Sequence, residues 1–562
     1  MALFFGSDPV ALPAPAYLGA AQVFTPPPDW PADAVAVWLI LGQSNASGWA
    51  PYEQDPAKAD PAAAVPALAA GERMIHEWAR FTPADVPASA TGGQFSRRGL
   101  ATPGAGEPRT AAKMWSGGVW GIPDATPSFG PEVGLVRHVL GAPAARKWRD
   151  DADPRLYVLK ATLGGTEVDA FRHGGRETAY SLGAIQTTAG VNLAGLAAAG
   201  KSVLIQGAVV VIGEADANLD HPGGGAKMGE SMSGRLQEYV RQVRALLGCD
   251  FPVALVEVFE NGADRAAVNG QLAAAAAEIP NATLISGGGA WGTADADTHY
   301  DGAAQGDIGR RAFAWIRDAH GRPGDGLVVS HPFSGFRPAF LLPPMFTDDT
   351  GSQMEVSGHA SVGGRVFGMV LDAGSAPPSA ADLLAAASVP GKVSDFTLDL
   401  LAAGDFSAFT GSGTFAANTV QDAYFILSEI EAGAPVGAPS AVHKLTRGGG
   451  TKIAPDLAVA SAGAGAATAT WGATAPGTDT WAVFEGDVFF HRPEDIEAGA
   501  FRPVLWGQQA DHGANYSGVA NLSGLTPGAL YTFQVTTRRR IDTNPAAGLT
   551  GETRRAVFTA GA

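Results

Sequence analysis

Five short runs of uninterrupted apolar residues set the rhythm of the first half of the chain. Ala34–Leu41 (AVAVWLIL) comes first, and Leu156–Ala161, Val203–Ile212, Pro252–Val258 and Thr283–Ser286 follow. A strand covered on both faces reads this way, because none of its positions meets water. Between the runs lie stretches with helical spacing of apolar residues: Glu132–Leu140, Leu182–Ala199, Gly229–Leu247, Asp264–Glu278 and Ala303–Asp318. Strands alternating with helices predict an α/β domain, a doubly wound five-stranded parallel sheet over residues 34–322. Sites in such sheets form beyond the carboxyl ends of the strands. Residues 50–128 break the rhythm with Gly, Pro and Ala. They read as a long insertion after the first strand, where a lid or binding surface would sit.

The texture changes near residue 325. Short alternating stretches such as Arg365–Leu371 and Ala423–Leu427 are separated by Gly, Ser and Pro turns, with one short helical turn expected within Pro377–Ala387. This pattern predicts a β-sandwich over 325–435. A boundary is expected at Ala432–Pro439 or slightly later, at Gly448–Gly450. Spaced strands resume over 440–562, at Ala466–Trp471, Thr480–Phe484, Leu530–Thr537 and Arg555–Thr559. That predicts a second sandwich. Residues 1–33, rich in Pro and Ala, read as an extended arm or attachment segment with one strand near Tyr17–Phe24. No short-period repeat stands out.

Composition narrows the function classes. Of 562 residues, 74 are Gly and 39 are Pro, but 46% are hydrophobic, which excludes collagen-like and largely disordered chains. The net charge of −17 makes the surface a poor partner for nucleic acid or an anionic membrane, so neither is expected. The densest basic run, Arg538-Arg539-Arg540, adjoins a strand and reads as its solvated end. A single cysteine, Cys249, rules out an intrachain disulfide framework and a Cys-based zinc site. The first ten residues lack a basic stretch followed by an apolar one, and no apolar run is long enough to cross a membrane, so neither a secretory signal nor membrane insertion is expected. The eleven His are scattered, with no HExxH and no helical pair, and no phosphate-loop motif is present. No metal or organic cofactor is expected.

The candidate chemistry lies at strand ends. Ser44, in Gly42-Gln43-Ser44-Asn45, follows the first strand, where backbone amides at the turn can stabilise an oxyanion. A serine nucleophile needs a base. His299, in Asp295-Ala296-Asp297-Thr298-His299-Tyr300-Asp301-Gly302, follows the last strand and can take the Ser44 proton, with a nearby carboxylate fixing its tautomer. Gly164-Gly165-Thr166 follows the second strand and can bring an amide to the oxyanion. Gly213-Glu214-Ala215-Asp216 ends the third strand, and its acids can orient loops by hydrogen bonds.

In this order, and with Phe129-Gly130-Pro131-Glu132 between the first two, these blocks resemble the SGNH hydrolase superfamily, which has a flavodoxin-like sheet. Within it they look like the sialate O-acetylesterase-like and acetylxylan-esterase-like carbohydrate esterases. The resemblance spans about residues 34–320. It implies Ser44 as nucleophile, His299 as base and Asp297 as orienting acid. The Ser44, Gly164 and Gly165 amides would form the oxyanion hole, with Gln43, Asn45 and Glu214 in support. Two departures stand out. Ile212 occupies the position where many members carry a Gln that completes the oxyanion hole. The usual acid position, three before the His, is Ala296, which leaves Asp297 with Asp295 as fallback. Separately, Leu525-Thr526-Pro527-Gly528 followed by Tyr531-Thr532-Phe533 resembles the turn and strand of a fibronectin type III module, which implies a spacer or adhesion role. Tyr17-Leu18-Gly19-Ala20-Ala21-Gln22-Val23 resembles the short N-terminal segment of phage tail-fibre and gene-transfer-agent proteins.

Two functions follow as expectations. One is a serine esterase that removes O-acetyl groups from host surface polysaccharide on a phage-like particle. It would be a homo-oligomer with other virion proteins as partners. The other is a glycan-binding receptor-recognition spike with little turnover. A bacterial cytoplasmic enzyme, or one exported without a signal, is the alternative setting. Trp78, Trp115 and Trp120, with Arg97 and Arg98, are candidates to line a glycan groove, since aromatic faces stack on sugars and Arg binds anions. Packing of the insertion's own small core is the competing role for these Trp residues.

Overall fold

The computed structural model describes residues 3–5, 8–10, 34–47, 50–51, 75–78, 128–131, 134–135, 156–162, 165, 167–173, 182, 200–219, 232–259, 263–286, 299–300, 302–320, 331–332, 338–349, 353–416, 419–447, 453–473, 477–513, 516–539 and 549–562. All five apolar runs are strands: β1 (Ala34–Gly42), β2 (Leu156–Thr162), β3 (Ser202–Val211), β4 (Val253–Val256) and β5 (Ala282–Ile285). They pair in parallel in the order β2-β1-β3-β4-β5. Ile75–Trp78, inside the predicted insertion, adds a parallel strand beyond β2. His331–Pro332 pairs antiparallel with the start of β3. In this order the chain reverses direction across the sheet at β1 and β3, and the crevice beyond that switch point is where such sheets bind ligands.

The burial of β1 explains its sequence. Val37, Leu39 and Leu41 join an apolar core with residues of the helices α1 (Met232–Leu247) and α2 (Ala263–Glu278). On the opposite face Trp38 meets Phe313 of α3 (Gly302–His320), ring centroids 5.8 Å apart. Both faces are therefore dry, and the run needs no polar alternation. These three helices match their predicted spans within a few residues. Of the other two predicted helices only Leu182 and the pair Gly134–Leu135 fall among the described residues.

Two antiparallel sandwiches follow, with the same strand order. In the first, Phe340–Asp349, Met354–Ala360 and Gly404–Phe409 form one sheet. Lys392–Leu400, Gly364–Asp372, Gln421–Glu431 and His443–Arg447 form the other. In the second, Ile453–Gly463, Ala466–Ala473 and Tyr516–Leu522 face Leu505–His512, Gly477–Glu485, Leu530–Arg539 and Leu549–Thr559. Each carries a five-residue helix at the same point of its topology, Ala380–Leu384 and Pro493–Glu497. Because His443–Arg447 pairs with Gln421–Glu431, the first sandwich extends past residue 435, and the Gly448–Gly450 run lies outside the described residues. The Tyr531 hydroxyl accepts the Thr526 amide at 2.9 Å, the corner expected where a sandwich chain crosses between sheets.

The N-terminal segment contributes a small hairpin, Leu3–Phe5 with Asp8–Val10, and the strand expected near Tyr17–Phe24 lies outside the described residues. No helix among the described residues is long and apolar enough to cross a membrane.

Candidate active site

Ser44 opens a single helical turn, Ser44–Ser47, immediately after β1. Reaching it requires Gly42: its φ of +127° lies in the region that disfavours side chains, and a Cβ there would sit 2.0 Å from the Val211 carbonyl oxygen. The ends of β1 and β3 are thus held in direct backbone contact. The Gln43 amide donates to Val211 O at 2.9 Å. The buried Gln43 side chain accepts the Gly213 amide through Oε1 at 3.3 Å. Gln43 is therefore a tie between two strand ends at the switch point.

His299 lies 255 positions later, yet its Nε2 is 2.8 Å from Ser44 Oγ. Both side chains are half-buried, so the pair is shielded but reachable. This is the distance a base needs to take a serine proton. Asn45 holds the two loops together. Its Nδ2 donates to Glu214 Oε1 at 2.6 Å, and its Oδ1 accepts the Tyr300 amide at 3.0 Å. Gln305, in the first turn of α3, donates from Nε2 to the Asn45 carbonyl at 3.1 Å. Since Tyr300 is the next residue after His299, the Asn45 amide fixes the backbone that carries the imidazole.

The Gly213–Asp216 block orients both neighbouring loops. Glu214 is buried, which raises its carboxyl above the usual range although the Asn45 hydrogen bond opposes this. Asp216 accepts the Val168 amide at 3.2 Å, and so anchors the segment just after the Gly164-Gly165-Thr166 loop. Burial pushes Asp216 up to about 7, against Arg235 and with help from the charge of Asp169. For Asp169 burial acts in the same upward direction, but Arg235 and Arg172 outweigh it and hold its carboxyl low. Tyr300 is fully buried, donates to the Glu257 carbonyl, and is kept neutral because burial and then Glu214 raise its phenol well above the usual value.

Gly165 is exposed in a turn with φ +71°. Ile212, by contrast, is fully buried in the apolar core beneath the site and offers no donor. Gly164, Asp295, Asp297, Arg97, Arg98, Trp115 and Trp120 lie outside the described residues. Trp78 is in the edge strand Ile75–Trp78. Sequence reading gave no role to Tyr300 or Gln305. Tyr300 lies in the Asp295–Gly302 segment beside His299, but Gln305 carries no local signal, because its partner is a backbone carbonyl 260 positions away.

No protein-family model matches the chain, and no curated protein matches it. Among solved structures it is similar to an Arabidopsis thaliana protein at 14% identity, over 51% of this chain and 98% of that one, with a TM-score of 0.33. It is also similar to the BSP domain of a biofilm-associated protein, at 13% identity over 40% of this chain and 30% of that one, TM-score 0.15. A third likeness is to the FN1–FN3 domains of chicken contactin, at 11% identity over 42% of this chain and 69% of that one, TM-score 0.15. Likenesses this distant carry no argument about chemistry, which rests on the geometry of the site.

Proposed function

We propose that the chain is a serine-dependent carbohydrate O-acetylesterase of the SGNH type. The observation that carries this reading is the 2.8 Å approach of His299 Nε2 to Ser44 Oγ at the switch point of a doubly wound sheet. Ser44 Oγ attacks the acetyl carbonyl carbon while His299 takes its proton. The tetrahedral intermediate expels the sugar oxygen, which receives that proton from His299. Water, deprotonated by His299, then attacks the acetyl-enzyme and releases acetate, and Ser44 recovers its proton. Amides of Ser44, Gly164 and Gly165 are the proposed oxyanion donors, and Asp297 the proposed partner of the imidazolium. The serial sandwiches after the catalytic domain suit a protein that presents the site to a polysaccharide surface, on a phage-like particle in this proposal.

Acetate release from O-acetylated bacterial polysaccharide and from 4-nitrophenyl acetate tests the reading. Turnover by the wild type that disappears in Ser44→Ala is the expected result. No turnover on either substrate by folded wild type overturns it. The buried, donor-free Ile212 favours a second reading, a glycan-binding spike with little turnover. Fluorophosphonate labelling separates the two, because only an activated serine reacts; glycan binding that survives Ser44→Ala without labelling of the wild type supports the spike.

A further inference from the structure

His173, His359 and Asp405 come from distant parts of the sequence and two domains, yet their nitrogen and oxygen atoms all lie within 4.8 Å of one another. His359 Nδ1 is 2.7 Å from Asp405 Oδ1, and His173 Nε2 is 3.8 Å from the same oxygen. We propose that this cluster is a binding site for one divalent cation of the zinc class, joining the α/β domain to the first sandwich. The inference is independent of the chemistry at Ser44.

The geometry fits the ion. Zinc bonds of about 2.0–2.1 Å in a tetrahedron set ligand atoms about 3.3 Å apart, and the two observed separations bracket that value. Two imidazoles and one carboxylate are a donor set that suits zinc and its transition-metal neighbours, whereas magnesium and calcium prefer all-oxygen cages. The supports are rigid. His359 and Asp405 are directly opposed in an antiparallel pair, so the backbone ladder sets their spacing. The His173 backbone amide donates to Gln242 Oε1 of α1 at 2.9 Å, just after the short 3-10 turn Val168–Ala170.

The surroundings also fit. The two imidazole rings lie 3.8 Å apart, centroid to centroid, and are tilted by 37° to one another. The Asp405 side chain is 44% exposed, against 13% for His173 and 21% for His359, which leaves an approach from solvent and a fourth position for water. No sequence motif announces the site because no two of its ligands share a helix or a turn.

The test uses the full chain after treatment with a chelator. Zinc is titrated by calorimetry, cobalt(II) by visible absorption, and magnesium serves as the hard-cation control. One zinc per chain, an intense tetrahedral cobalt band and no response to magnesium are expected. His359→Asn and Asp405→Asn should each weaken binding by at least about 100-fold. Zinc should raise the melting temperature of the wild type, reversibly with chelator, and leave that of the variants unchanged. Circular dichroism and the metal-free melting temperature establish that each variant folds. If a sandwich variant does not fold, His173→Asn, on the other domain, takes its place. Absence of stoichiometric binding by the wild type, or binding undiminished in the folded variants, overturns the proposal.

Discussion

Asn45 does more for the site than its neighbours in sequence suggest. Its side chain bridges the acidic block, through Glu214, and the histidine loop, through the Tyr300 amide. Replacing it by Ala removes a hydrogen-bond partner from a buried carboxyl and from a buried amide, a cost of about 1–3 kcal/mol for each. The Asn45→Ala variant should therefore lose at least ~10-fold in kcat on 4-nitrophenyl acetate, with a smaller change in KM, because a displaced His299 harms proton transfer before it harms binding. Asn45→Asp should not rescue, since Asp cannot donate to Glu214. Steady-state kinetics on both variants, with melting temperatures alongside, checks this. Ser44→Ala, which removes only an oxygen from a half-buried position, should abolish turnover and change the melting temperature little.

At the scale of elements, the strand ends and α1 carry the architecture. Gly42→Ala would drive a methyl group into the Val211 carbonyl and impose a side chain on φ +127°. It should destabilise the domain by more than ~3 kcal/mol, seen as insoluble expression or a lowered denaturation midpoint. Helix α1 is the element on which all three domains meet. Arg241 and Gln242 donate to the Phe340 and Leu341 carbonyls of the first sandwich. Glu238, on the same face, pairs with Arg241 at 2.7 Å and with Arg492 of the second sandwich at 3.2 Å. Burial opposes ionisation of Glu238, but Arg241 and then Arg492 outweigh it and lower its pKa to about 2. A carboxyl held below its unfolded value of 4.5 contributes stability above that pH and loses it as pH falls towards 2. Denaturation midpoints of wild type should fall over that window, and Glu238→Gln should be less stable at pH 7 and lose less on acidification. Equal acid slopes for the two proteins would refute this.

Across the whole molecule, the second sandwich folds back onto the α/β domain instead of trailing from it. Its short helix Pro493–Glu497 and the turn after it supply Asp495, Phe501 and Arg502. Arg172 donates to Asp169 at 2.8 Å and to Asp495 at 2.9 Å, and its guanidinium lies 3.9 Å from the centre of the Phe501 ring. The Phe501 amide donates to Asp169 at 2.6 Å, and Arg502 pairs with Glu167 at 2.9 Å. Glu167 and Asp169 follow the Gly164-Gly165-Thr166 loop closely, so the second sandwich braces the segment proposed to hold the oxyanion. Breaking one partner of a buried ion pair strands the other charge and costs about 3–5 kcal/mol. Asp495→Asn should lower stability by that order and reduce esterase turnover while Ser44 remains reactive to fluorophosphonate. A turnover number equal to that of wild type would mean that the docked sandwich leaves the loop unaffected.

The five parallel strands, three of their helices and the two sandwiches were legible in the linear pattern, because strand and helix periodicities are local and each segment's burial is written in its own residues. The Ser44–His299 pair was also reachable, since topology alone sends the ends of parallel strands to one edge of the sheet. The edge strand Ile75–Trp78 was not, because four residues inside a Gly- and Pro-rich insertion carry too short a period to read. The common strand order of the two sandwiches was hidden as well, since a shared topology constrains which residues face inward and not which residues they are. Asn45 as a clamp, Gln305, the Arg172–Asp495 joint and the His173–His359–Asp405 cluster were settled only by tertiary packing. Each joins side chains that chain separation leaves uncorrelated, and only the docking of whole domains brings their charges and lone pairs within bonding distance.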